Sequence, residues 1–234
     1  MSSSATRQAQ EPVMQQFATP AAITAIVAVP AGRIRLTAAD RDTATVEVRP
    51  ADPGKRRDVK LAEQVTASYS NGVLRVAAPA ANRVLGSSGA VEVTVALPAG
   101  SAVQATTASV QFTTEGPLGD VTLDSAQATV SLDQAATARI TIVDGDITAG
   151  HLGGDAELRT ARGDISVAEA TRGTVVLLTQ TGAITVGAAA GASAALDAGT
   201  TMGRIRNALK NDGGSPALNI HATTTVGDIT ARSL

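Results

Sequence analysis

A corner motif, Thr-x-x-Gly-x-Ile, recurs through the second half of the chain and limits the possible folds more than any other feature. It reads Thr160-x-x-Gly163-Asp164-Ile165, Thr179-x-x-Gly182-Ala183-Ile184, Thr200-x-x-Gly203-Arg204-Ile205 and Thr224-x-x-Gly227-Asp228-Ile229. Gly145-Asp146-Ile147 is a partial earlier copy. From Ile147 to Ile229 the isoleucines are 18, 19, 21 and 24 residues apart. Such self-similarity marks stacked units, each too small to bury its apolar face alone. The residue types fit a corner between strands. Gly permits positive φ, Asp can satisfy turn N–H groups, and Ile enters a core. Thr favours the strand and can hydrogen-bond to Thr in the coil above.

Short apolar pairs fill the stretches between corners. Their first inward members are Val110, Val121, Val130, Ile140, Ile147, Ala156, Ile165, Val175, Ile184, Ala194 and Ile205. Alternate members form two interleaved series, so each coil should hold two strands. A coil of about 19 residues advances about 4.8 Å, the spacing between hydrogen-bonded strands. The expected fold is therefore all-β, a single-chain β-solenoid (β-helix). Residues 99–234 should stack about six to seven coils into a rod about 30 Å long. KNDGGSP, residues 210–216, reads as an inserted loop.

Earlier in the chain, residues 1–16 are polar and read as a disordered leader. Residues 17–98 show short alternating strands at Ile34/Leu36, Val46/Val48, Leu74/Val76 and Val91/Val93/Val95/Leu97, punctuated by turn residues. This N-terminal β region should form the first coils or a cap. The segment DPGKRRDVK, residues 52–60, reads as a charged, solvated loop.

Composition narrows function. The chain has two Phe, one Tyr and no Trp, so Ala, Val, Leu and Ile must fill a narrow core. Aromatic stacking platforms for single-stranded nucleic acid are thereby excluded. A formal charge of −2 supplies no general attraction for nucleic acid. With no Cys there is no disulfide or thiol chemistry. The first twenty residues lack an apolar signal core, and the Ala21–Val29 run is short and bounded by Pro20 and Pro30. The expectation is a cytoplasmic protein with no transmembrane segment.

Several segments together resemble a bacterial β-strand-repeat family of unknown function that carries the label putative adhesin. They are VPAGRIRLTAADRDTATVEV, VEVTVALPAGSAVQATTASV, the serial Gly-Asp-Ile turns, and the closing GRIRN and TTTVGDITAR. The resemblance spans nearly the whole chain and implies a β-solenoid. It implies no particular activity, because the label rests on architecture shared with surface proteins.

No catalytic, cofactor-binding or metal-ligating residues are assigned. Arg162-Gly163-Asp164 spells the integrin-recognition tripeptide, yet its Gly and Asp belong to the repeat, as Gly145-Asp146 and Gly227-Asp228 show without a preceding Arg. Asp146, Asp164, Ala183, Arg204 and Asp228 should form one column along the rod. Either Ca²⁺ bridges its carboxylates or turn amides and water neutralise them; Ala183 and Arg204 favour the second reading. His151-Leu152-Gly153-Gly154-Asp155 is only a fragment of a Ca²⁺-binding nonapeptide. His151 and His221 are far apart in sequence and read as surface residues near turns. No nucleophile elbow, P-loop or dinucleotide-binding turn is present.

These readings point to a non-catalytic scaffold or interaction protein. After the Thr224–Ala231 repeat only Arg232, Ser233 and Leu234 follow, so the C-terminal coil is expected to be an open edge. Through it the protein should form a homo-oligomer or meet another protein. The alternatives are an exported adhesin head and a carbohydrate-active β-helix enzyme. The enzyme requires a groove on one sheet lined by two or more carboxylates; a flat Thr/Ala/Ser face would argue against it.

Overall fold

A computed structural model describes residues 13–79, 89–211 and 215–234. Among them are eighteen strands and one helix. The N-terminal elements are β1 (Val13–Ala18), β2 (Thr24–Ala28), β3 (Ala31–Ala39), β4 (Thr43–Pro50), α1 (Arg56–Gln64), β5 (Thr66–Ser70), β6 (Val73–Ala77) and β7 (Val91–Pro98). Two long strands follow, β8 (Ala102–Glu115) and β9 (Pro117–Asp144), each bending round more than one side of the molecule. The rest are β10 (Ile147–Leu152), β11 (Ala156–Arg159), β12 (Ile165–Ala170), β13 (Gly173–Leu178), β14 (Ile184–Ala188), β15 (Ala194–Met202), β16 (Ile205–Ala208), β17 (Leu218–Val226) and β18 (Ile229–Ser233).

The strands form the predicted β-solenoid, with two strands to a coil and parallel pairing between coils from β2 onward along the axis. Alternate side chains point inward, as the period-2 geometry of a strand requires. In one ladder Ile147, Ile165, Ile184 and Ile229 stack in register, each essentially fully buried. In the facing ladder Ala156, Val175 and Ile220 do the same. Both rows belong to one continuous aliphatic core. Removing each Ile side chain from water contributes about 2 kcal/mol. Phe112 is the only aromatic in that core, which accords with a space too narrow for many rings.

The coils do not stack in chain order. The coil β17–β18 pairs with β13 and β14 on one side and with β15 and β16 on the other. The last coil in the sequence is therefore inside the stack, and the preceding coil, β15–β16, is the terminal one. Near the other end β2–β3 likewise lies between β6–β7 and β8. Beyond β6 and β7 the direction reverses: β5 is antiparallel to β6, β4 to β7, and β1 to β4.

The segment 52–60 is a helix in its second half, contrary to the expected loop. Within α1, Asp58 and Leu61 fall three residues apart on one face and are buried against the sheet. The Asp58 carboxylate accepts the Ala90 N–H at 3.0 Å, which ties the helix to the start of β7. In the turn before it the Gly54 N–H and Lys55 hold the Asp52 carboxyl below its usual range. Of the expected leader, residues 1–12 lie outside the described residues, whereas 13–16 belong to β1 and pair with β4. The expected loop 210–216 includes residues 212–214, also outside them.

Candidate functional site: the terminal coil

Each corner residue bonds to the next coil, and this fixes the chemistry available along the column. Thr160 donates its hydroxyl to the Gly145 carbonyl at 3.1 Å, Thr179 to Gly163 at 3.1 Å, Thr224 to Gly182 at 3.0 Å and Thr200 to Gly227 at 3.0 Å. The partner is thus a glycine carbonyl rather than a neighbouring threonine. The glycine is required by close approach. A Cβ on Gly182 would lie 2.0 Å from the Gly163 carbonyl oxygen, and φ is +150° there.

The aspartates cap backbone amides. Asp146 accepts the Asp164 N–H at 2.8 Å, Asp164 the Ala183 N–H at 2.7 Å, and Asp228 the Arg204 N–H at 2.9 Å. Their order along the axis is Asp146, Asp164, Ala183, Asp228, Arg204, with the last two exchanged relative to the sequence. Within this column one oxygen of each of these carboxylates is engaged by the corner. Arg162 extends the same side of the molecule and pairs with Asp144 at 3.1 Å. The Arg-Gly-Asp tripeptide is thereby built into two adjacent coils.

Both histidines stand in strands rather than turns. His151 Nδ1 lies 3.4 Å from Glu169, and His221 Nδ1 lies 3.4 Å from Asp197 on the terminal coil. Among the described residues no three His, Cys, Asp or Glu side chains gather as a metal site. On the outer face of the Ile ladder, Thr113, Ser131, Thr148, Ser166, Thr185 and Thr230 line up one per coil. An open groove beside that row is lined by Ser109, Gln111, Gln127, Thr129 and a single carboxylate, Asp144. Within that groove Asp144 is the single carboxylate, whereas polysaccharide cleavage uses a pair.

The distinctive surface is the end of the stack at β15–β16. Among the described residues no strand pairs with the outer edge of either strand. Strand edges with free N–H and C=O groups are templates for further pairing. Met202 is 60% exposed, and Ile205 is 45% exposed although its counterparts in the inner coils are buried. Leu196 and Ala198 close only part of the core end. The expected open edge at Thr224–Ala231 is thus corrected: that coil is covered on both sides. The exposed edge lies within Ala194–Ala208, beyond Ala194 itself, whose outward N–H donates to the Lys210 carbonyl at 3.2 Å.

A sequence signal does mark this coil. The inward position after Ile is Ala149, Val167, Val186 and Ala231 in the inner coils, but Asn207 in the terminal one. A buried Asn would require several partners. At the end of the stack its side chain is exposed, and its oxygen accepts the Leu209 N–H at 3.0 Å.

An all-β solenoid with a regular hydroxyl-lined face, and an end that no strand among the described residues covers, defines a β-strand-repeat protein of the solenoid class. The chain belongs to the Toastrack DUF4097 family, whose model matches residues 24–231. Its fold is similar to the crystal structure of a putative adhesin from Bacteroides fragilis, with a TM-score of 0.55 and 13% identity, covering 95% of this chain and 97% of that one. A putative adhesin from Parabacteroides merdae is also similar, with a TM-score of 0.45, 13% identity and 97% coverage of both chains. No curated protein matches the chain in sequence. Among the described residues no helix is long and apolar enough to cross a membrane.

Proposed function

We propose that this protein is a non-catalytic scaffold that self-associates through the terminal coil Ala194–Ala208. The observation that carries this reading is the outer edge of β15–β16, with which no strand among the described residues pairs, together with the exposed Met202 and Ile205 beside it. Pairing two such edges would satisfy backbone groups and cover the apolar end together. The polar corner columns, occupied by their own hydrogen bonds, supply rigidity to a rod that presents this end. Cell fractionation decides where such a scaffold works: recovery from the cytosol fits an intracellular assembly, and recovery from the cell surface would favour an exported adhesin head.

The test is native mass by light scattering from micromolar to millimolar concentration. A concentration-dependent dimer supports the proposal, and Ile205→Lys should shift it toward monomer because an edge lysine resists strand addition. A monomer throughout the range overturns it.

A further inference from the structure

We infer that the association is a closed, tail-to-tail dimer in which β15 of each copy lies antiparallel to β16 of the other, with Asp197 opposed to Arg206. This rests on the self-association reading and specifies its geometry. A coil of two strands returns to its starting side after one turn, so β15 and β16 run in opposite directions on facing ladders. A two-fold rotation about the strand direction exchanges the two ladders. It therefore brings β15 alongside β16 of the partner copy in the antiparallel sense, twice in each dimer. Such an interface is self-complementary and closes after two copies.

Charge selects this arrangement over a rotation that sets each strand against its own copy. Asp197 is the acidic residue of β15, with its side chain 83% exposed. Arg206 lies on β16, Arg204 immediately before it, and both are exposed. No ion pair to either arginine is present among the described residues. Asp197 lies three residues before Thr200, and Arg206 one residue after Ile205. Arg206 is also three residues after Gly203, and Thr200 itself stands at the Gly203 corner, where its hydroxyl donates to the Gly227 carbonyl at 3.0 Å, so both residues lie three residues from the corner, on the outward side. Rotation about the strand direction preserves that distance and faces the carboxylate with the guanidinium. Pairing β16 with its own copy would instead bring four arginines together. The other end of the rod offers no parallel continuation, because β1, β4 and β5 reverse the strand direction there.

The experiment is a charge-swap cycle in the full chain, read as the dimer dissociation constant by sedimentation equilibrium, with thermal unfolding to confirm that each variant folds. Asp197→Arg and Arg206→Asp should each weaken dimerisation by about tenfold or more, since each creates two like-charge contacts per dimer. The double variant should recover most of the affinity. Equal weakening in the single and double variants, or no weakening in either single variant, overturns this geometry while leaving a dimer in place. A monomeric wild type overturns the underlying self-association reading and this inference with it.

Discussion

At the N-terminal end the coil β2–β3 lies inside β6–β7, and at the C-terminal end β17–β18 lies inside β15–β16. Both ends thus depart from chain order, but they finish differently. Beyond β7 and β6 come the antiparallel strands β4, β1 and β5, with α1 packed alongside. Phe17 on β1 and Tyr69 on β5 approach with ring centroids 6.0 Å apart. Two of the three aromatic residues in the chain are spent on closing this end. Beyond β15 and β16 the described residues provide no strand, and the core ends on Leu196, Ala198, Met202, Ile205 and Asn207. The difference teaches that a parallel stack is closed by reversing direction and adding bulk; small aliphatic residues alone leave its end exposed.

The largest effect should separate an inner coil from the end coil. Ile229→Ala should cost about 3 kcal/mol in denaturant unfolding, whereas Ile205→Ala should cost under about 1 kcal/mol. Equal costs would remove the distinction between these coils. Next, Phe17→Ala should cost about 2 kcal/mol, by lost packing on Tyr69 and on the end of the core. An effect near zero would mean that the rings do not close the N-terminal end. Asp164→Ala, which deprives the Ala183 N–H of its acceptor, should cost about 1 kcal/mol. The smallest change is a gain: Ala183→Asp supplies a carboxylate where the column lacks one, toward the Asp228 amide. It should stabilise by about 0.5 kcal/mol after the repulsion of neighbouring carboxylates is deducted.

The repeat was legible because its parts obey local rules. Gly182 and Gly227 are demanded by backbone contact, and the isoleucines by inward alternation. Coil order was not legible from the motif, since Thr200-x-x-Gly203 and Thr224-x-x-Gly227 offer the coil of Ile184 nearly identical corners. Adjacency in sequence favours the first. What decides is the quality of the inward surface: Ala222 and Ala231 can be covered on both sides, but Asn207 cannot without loss. The same lesson applies to Arg56–Gln64, where a dense run of charges concealed the buried face formed by Asp58 and Leu61. For the candidate surface, the motif drew attention to the last repeat, and the tertiary order moved the exposed edge one coil back.

The most direct test of this account is native-state amide hydrogen exchange in dilute protein, where self-association is minimal. Leu218–Ser233 should be among the slowest segments to exchange, because it is hydrogen-bonded between two coils, and Ala194–Ala208 should exchange markedly faster. If Leu218–Ser233 exchanges as fast as or faster than Ala194–Ala208, the C-terminal coil is not enclosed between two others but lies at the edge of the stack.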